Sequence, residues 1–394
     1  MRVTGIIAEC NPLHEGHKYL IREARRQTGA DFIVIALSGD YVQRGAPSIL
    51  SYEARTKALL DSGADLVVQL PLYTACSGAD YFARGAAALM ESLGVVTDLA
   101  FGSESGDLGM LENAAGTLSE ESEEFRASLQ ARLREGLSYP RARALAAGES
   151  PIPNSPNDLL ATEYLRALGQ SGSRIRPLAI GRISCKSATQ IRGEMIGSRQ
   201  NTDPFLCSDD FSDLLLHALY REDSPAALTA YLDVSEDLVG RILSELPRFT
   251  TLSEFCKAVK TRNYTYTRIS RALMHILLGM TAQTMERFDH KYGLSGWIRP
   301  LGFRRDAAPL IKNITASCTV PFLDKLARAG QVLPQDLYSI FLEDVRAEFL
   351  YDLMAARRAP SASAGVVPAF RKKILILDPS AENADSGSDP YKLL

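Results

Sequence analysis

Between Val3 and Arg26 the chain passes from an unbroken apolar run, Val3 to Ala8, through Asn11-Pro12 into a helical pattern that begins near Gly16. A strand feeding directly into a helix is the opening half of a β-α-β unit, and it constrains the fold more than any other stretch of the chain. His14 and His17 fall in the first turn of that helix, three residues apart and therefore on one face. A helix N-terminus carries unpaired N–H groups and the positive end of the dipole, which together attract an anion. Gly16 lets a phosphate come close to the backbone. This His-x-Gly-His arrangement suits an enzyme that holds a nucleoside triphosphate while its α-phosphate is attacked. The plainer alternative is a pair of surface histidines capping a helix. The chain has only five histidines, and two of them lie at its first strand-to-helix turn.

The alternation continues. Apolar runs at Phe32–Leu37, Leu66–Leu70 and Leu99–Phe101 read as further buried parallel strands, separated by helical patterns near His17–Gln27, Tyr52–Ser62 and Ala79–Leu93. A doubly wound parallel α/β sheet, Rossmann-like, follows from this order, with its ligand at the carboxyl ends of the strands. Residues 107–147 read as amphipathic helix. Ser155-Pro156-Asn157-Asp158 reads as a helix start, with Ser at the N-cap, Pro at the first position and an acid at the third. A strand over Arg176–Ile183 then leads to another helix start at Ser187. From about Asp203 the pattern becomes helical, as in Phe211–Tyr220 and Ile269–Leu278, up to about Arg358. A short strand is expected at Lys373–Leu377. The expected division is residues 1–200, 201–378 and a mobile polar tail, 379–394.

At 394 residues, two domains are the prior. No run is long enough to span a bilayer. The six cysteines are scattered, with no Cys-x-x-Cys pair, which suits a reducing cytoplasm and argues against a structural zinc site. Cys10 reads as a small buried filler. The net charge of −3 hides an asymmetry, because Thr251 to Asn313 holds eleven Lys or Arg against four Asp or Glu. That local +7 marks a candidate polyanion surface, or else a solvated helical face.

The segments GIIAECNPLHEGHKYL, ALSGDYVQRGAPSILS, DLVVQLP, ADYFARGA, FGSESG, SPNDLLATEYLRAL, GRIS, SATQIR and VKTRNYTYTRISRALMHILL occur in an order that resembles the tRNA(Met) cytidine acetate ligases. These form a branch of the HIGH-motif nucleotidyltransferase superfamily, and the resemblance spans roughly residues 3–375. It implies an enzyme that uses ATP, with Mg²⁺, to adenylate acetate, and then acetylates N4 of the wobble cytidine of elongator tRNA(Met). It implies nucleotide binding by Ile7, Ala8, Glu9, Cys10, Asn11, Pro12, Leu13, His14, Glu15, Gly16, His17, Lys18, Tyr19 and Leu20. Further contacts are implied at Gly102, Asn157 and Arg182. Ser187, Thr189 and Arg192 occupy the place of the second signature, which stabilises leaving pyrophosphate. His14, His17 and Arg192 are thus the expected catalytic residues, and no protein ligand to a metal is assigned.

In the basic block, Lys257, Lys260, Arg262, Arg268 and Arg271 are the candidate tRNA contacts, with Tyr264 and Tyr266 as possible stacking surfaces. Trp297 reads as core. Asp40 is a candidate Mg²⁺ ligand or, more commonly for a turn aspartate, a helix cap. Arg44 borders the acyl or triphosphate site. The chain departs from the family pattern at Cys10, Leu13, Gln69 and Asp158, and only Cys185 and Lys186 separate Ser184 from Ser187. Two alternatives therefore stay open: a nucleotidyltransferase with a different acceptor, and a non-catalytic RNA-binding paralogue.

Overall fold

The computed structural model describes residues 1–119, 153, 155–200, 203–222, 224–262, 264–359 and 366–378, with a few positions between 127 and 146. The tail 379–394 and most of the stretch between 120 and 154 lie outside the described residues. So do the expected mobility of that tail and most of the expected helix over 107–147.

Nine strands are described: β1 (Val3–Ala8), β2 (Phe32–Ser38), β3 (Tyr41–Val42), β4 (Ala46–Pro47), β5 (Leu66–Leu70), β6 (Asp98–Ser103), β7 (Arg176–Gly181), β8 (Pro300–Arg304) and β9 (Leu375–Leu377). Seven of them form one sheet in the order β7-β6-β1-β2-β5-β8-β9, while β3 and β4 make a separate hairpin. The pairs from β7 across to β5 are all parallel. Only β8 runs antiparallel to its neighbour β5. The connections leave β1 first toward β2 and β5 and then return to its other side for β6 and β7. The topological switch therefore lies between β1 and β6, where such sheets bind ligands.

Helices α1 (Glu15–Thr28), α2 (Tyr52–Asp61), α3 (Ala79–Ser92), α4 (Leu108–Ser119), α5 (Pro156–Gln170) and α6 (Ala188–Gly197) belong to this part of the chain. The strand β2 shows how they pack. Ile33, Ile35 and Leu37 face α1 and α2, whereas Val34 and Ala36 face α3 and α5, and none of the five is exposed. Burial on both faces is why these strands read as continuous apolar runs rather than as alternation.

Beyond residue 203 come α7 (Ser212–Arg221), α8 (Glu236–Glu245), α9 (Leu252–Val259), α10 (Tyr266–Leu278), α11 (Ala282–Tyr292), α12 (Ala308–Ser317) and α13 (Gln335–Arg358). Most of them share a core built on Leu215, Phe255, Leu273, Phe288 and Phe341 around Trp297. Trp297 is core, stacked on Phe288 at 5.6 Å and edge-on to Phe341 at 5.4 Å.

The sheet also recruits this later region. β8, within a segment read as helical, adds to β5, and β9 adds in parallel to β8. Pro300 and Gly302 argue locally against a strand. Pro300 sits where the register with β5 shifts, and a Cβ on Gly302 would lie 2.8 Å from the Thr56 methyl, so Gly302 lets α2 pack onto the sheet.

Candidate active site

The first turn is built from β1 outward. Cys10 takes a left-handed backbone conformation (φ 46°) with its side chain buried, and burial pushes its thiol up to about 12. It is a filler and not a reactive group. Asn11–Pro12 is cis, and the buried Asn11 accepts the Ile49 N–H at 2.8 Å. His14 is the N-cap of α1, and its Nδ1 accepts the Gly16 N–H at 3.1 Å. His17 completes the capping box, its Nδ1 accepting the His14 N–H at 3.3 Å.

With Nδ1 of each ring occupied as an acceptor, the proton of each neutral imidazole resides on Nε2. Both rings therefore offer an Nε2–H donor, and their centroids lie 3.9 Å apart. Burial lowers the pKa of His14, helped by the nearby Arg182 charge. The His17 value falls to about 3, through burial and then the charges of His14 and Arg182. Both histidines are thus neutral donors at physiological pH. Gly16 is required by this packing, since a Cβ there would lie 2.9 Å from the His14 ring and 3.2 Å from Cys185 Sγ.

Of the Ile7–Leu20 segment, Ile7, Cys10 and Leu13 belong to the core. Ala8, Glu9 and Gly16 are half-buried around the turn, and Pro12 is buried within it. Glu15 and Lys18 are exposed and paired with each other at 2.8 Å. Tyr19 and Leu20 pack on the α1 side of the sheet.

The second signature closes on the first. Ser187 caps α6 in a capping box with Gln190. Arg192 donates to the Asn11 carbonyl at 2.6 Å and to Thr189 Oγ1 at 3.1 Å. From β6 and β7, Glu104 gathers Asn157 (2.6 Å) and Arg182 (3.0 Å). A Cβ on Gly102 would meet nothing within 4 Å, so this glycine borders open space at the end of β6. The structure thus brings His14, His17, Arg192, Gly102, Asn157 and Arg182 to the carboxyl ends of β1, β6 and β7. A cavity of about 1370 Å³ begins at His14 and Cys185 and runs along α2 toward Lys372.

Three residues that sequence reasoning did not assign hold this arrangement. Asp158 accepts from the N–H groups of Glu104 (2.9 Å) and Ser105 (3.1 Å) and from the hydroxyls of Ser103 and Ser155. Burial opposes its ionisation, yet these hydrogen bonds leave its pKa below the ordinary value. Glu104 is the second. The third is Arg55, fully buried, which donates to the carbonyls of Glu9 (2.7 Å), Ser38 (3.0 Å), Leu50 (3.0 Å) and Gly39. It ties the ends of β1 and β2 to the loop after β4. An arginine on the buried stripe Tyr52-Thr56-Leu59 was the available signal. Asp40 accepts the N–H of Tyr52, the first residue of α2, at 2.8 Å, so it caps that helix.

On the basic block, Lys257, Lys260, Arg262 and Arg268 are exposed. Arg271 differs: it is half-buried and paired with Asp233 at 3.1 Å. Tyr264 is no stacking platform, because it is buried with its hydroxyl against Ser235 at 2.9 Å. It carries the Arg268 guanidinium 4.8 Å above its ring.

Comparison with known proteins follows the same geometry. Residues 1–364 match the model of the HIGH Nucleotidyl Transferase family. The tRNA(Met) cytidine acetate ligase of Acetivibrio thermocellus is 34% identical over 369 residues, covering 83% of this chain and 89% of that one. The enzyme of the same name from Clostridium kluyveri is 35% identical over 384 residues, covering 86% and 93%. The chain belongs to the tRNA(Met) cytidine acetate ligase family. The crystal structure of Thermotoga maritima TmcAL bound with alpha-thio ATP is similar to it with a TM-score of 0.88 and 27% identity, over 96% of this chain and all of that one. Cys10 is a buried filler and Asp158 braces the turn at Ser103–Ser105.

Proposed function

We propose that this chain is an ATP-dependent acetate ligase that forms acetyl-adenylate and acetylates N4 of the wobble cytidine of elongator tRNA(Met). One observation carries the reading: two neutral Nε2–H donors stand at the N-terminus of α1, linked through Asn11 to Arg192 and flanked by Arg182. An attacking carboxylate and an α-phosphate are both anionic, so their encounter needs fixed donors and positive charge placed in advance. Here His14, His17 and the helix N-terminus serve the triphosphate. Arg192 with Ser187 and Thr189 serves the leaving pyrophosphate. Gly102, Asn157 and Arg182 serve the nucleoside side, where Arg182 and Asn157 exchange Glu104 for ligand. The likeness to a structure bound with an ATP analogue and to ligase relatives supports the use of ATP.

Mg²⁺ arriving with ATP would neutralise phosphate charge. It keeps several waters and uses phosphate oxygens, so few protein ligands are needed. Among the described residues, no group of three His, Cys, Asp or Glu is placed to hold a metal alone. In this reading residues 1–200 carry the nucleotide chemistry. Residues 201–378 present Lys257, Lys260, Arg262 and Arg268 to RNA, with Arg271 bracing the helix that bears Arg268. The six free cysteines fit a cytoplasmic enzyme, and among the described residues no helix is long and apolar enough to cross a membrane.

The test incubates the protein with ATP, Mg²⁺ and labelled acetate, with and without elongator tRNA(Met). Pyrophosphate that depends on acetate, with label on N4-acetylcytidine, is the expected result. Pyrophosphate without labelled RNA would assign another acceptor. Neither product from folded protein would overturn the reading.

A further inference from the structure

Acetyl transfer forms a bond from N4 of the base to the acyl carbon and breaks the bond from that carbon to the phosphate oxygen. AMP leaves as a stable phosphate and needs no proton. The N4 nitrogen, by contrast, must lose one, so the site requires a base. The histidines cannot serve, because each Nδ1 already accepts a backbone N–H and each Nε2 carries the proton. Among the carboxylates, Asp158 is filled by two N–H groups and two hydroxyls. Glu104 keeps the Asp158 N–H on Oε2 and stands with Asn157 and Arg182 on the nucleoside side of the site. Asp40 is buried as the cap of α2. Glu15 is exposed and paired with Lys18.

Glu9 is left. Resting on the function proposed above, we propose that the Glu9 carboxylate is the general base that takes the proton from N4 as the acetyl group transfers. Its position supports this. Glu9 directly follows β1 and precedes the His14–His17 turn by a few residues. One oxygen, Oε1, accepts the Gln43 N–H at 2.8 Å, and no hydrogen bond within the described residues engages Oε2. The loop that supplies Gln43 is pressed onto the basic helix α10. Ser270 Oγ donates to the Gly45 carbonyl at 2.6 Å, and a Cβ on Gly45, itself left-handed at φ 71°, would overlap the Arg271 backbone nitrogen. The hairpin turn that fixes Glu9 therefore rests on the helix that presents Arg268.

The charges around Glu9 are mixed. The charges of Arg44 from the hairpin turn, Arg192 from α6 and Arg55 from α2 act on it, and Tyr164 of α5, Cys76 and Cys10 feel its charge. Burial raises its carboxyl above the ordinary value, against the Gln43 N–H and the three arginines. A carboxylate raised in this way is better matched to taking a proton near neutral pH. Once protonated, it returns the proton to solvent after the product leaves.

The experiment loads the full-length enzyme with labelled acetate and ATP, adds elongator tRNA(Met), and follows one turnover of transfer across pH. ATP–pyrophosphate exchange is measured in parallel. In Glu9→Gln, transfer should fall by roughly 10²- to 10⁴-fold more than exchange does and should lose its rise with pH. Glu9→Asp should recover part of the rate together with the pH dependence. Transfer in Glu9→Gln within about threefold of wild type would overturn the assignment, and so would exchange and transfer falling together. Wild-type enzyme that exchanges pyrophosphate but labels no RNA would instead overturn the acceptor, and the assignment with it.

Discussion

On the β7-β6-β1 side of the sheet, charged groups stand half-exposed with partners that a ligand can replace: Arg182 on Glu104, Asn157 on Glu104, Arg192 on a backbone carbonyl. On the β5-β8-β9 side, at the far end of the cavity, they are interlocked. Arg299, nearly inaccessible, pairs with Glu348 at 2.7 Å, and Tyr52 donates to the same carboxylate at 3.0 Å. Lys372 reaches Glu53 (2.5 Å), Glu348 (2.8 Å) and Asp352 (2.7 Å), joining α2 and α13 to the segment that leads into β9. Burial works against ionised Glu348, but Arg299 and Lys372 hold its pKa below the ordinary value. The same residue types thus serve two ends. Where the fold leaves room for an anion, charge is kept replaceable; where three distant segments must meet, charge is spent on holding them.

The sharpest way to break that comparison is Arg299→Met. Removing Arg299 leaves Glu348 only Lys372 and the Tyr52 hydroxyl, so stability should drop by about 2–3 kcal/mol, read by denaturant unfolding, with exchange activity per folded molecule retained. Unaltered stability would mean that the cluster holds nothing. His17→Ala should do the reverse. Losing one preorganised donor should reduce acetate-dependent pyrophosphate exchange by roughly 10²- to 10³-fold. The unfolding midpoint should move little, because the ring is half-buried and its hydrogen bond closes a single capping box. A large loss of stability with normal exchange would reassign His17 to structure.

A smaller effect concerns the basic helices. Replacing Lys260 and Arg262 by Ala should weaken tRNA binding evenly and flatten its salt dependence by roughly 0.7–0.9 in log–log slope for each phosphate left without its cation. An unaltered slope would leave these side chains as a solvated face. The smallest effect is a pH response. His17 is neutral in the fold down to about pH 3, whereas its ordinary value is 6.5. ATP affinity should therefore stay nearly flat from pH 6 to 8, with no gain as an imidazolium would form. In the same sense, the unfolded chain takes up a proton below pH 6.5 that the folded chain refuses, so stability should decline as pH falls through that window. Thermal midpoints of wild type and His17→Asn would show it, the variant declining less. Affinity for ATP that climbs steeply below pH 6.5 would contradict the neutral-donor arrangement.

The sheet strands β1, β2, β5, β6 and β7, the start of α1 and the start of α5 were legible because their causes are local: apolar runs, a helix-capping residue, a proline at the first turn. The motif turn was legible for the same reason, while the second signature was legible through the family resemblance. What Asp158 does was not, since Ser103, Glu104 and Ser105 lie more than fifty positions away. Arg55 shows the same limit, being a charge on a buried stripe whose carbonyl partners come from three loops. β8 was hidden by Pro300 and Gly302, which local rules count against a strand, while pairing with β5 and packing on α2 make it one. Nor could sequence tell Arg271 from Arg268, or show that Tyr264 is buried. The sequence by itself determined the fold class, the expected place of the site at the strand ends and the His14–His17 turn, because these depend on periodicity and short-range geometry. Only the tertiary structure decided which charges are free and which are locked, because that depends on burial and on partners brought together from far along the chain.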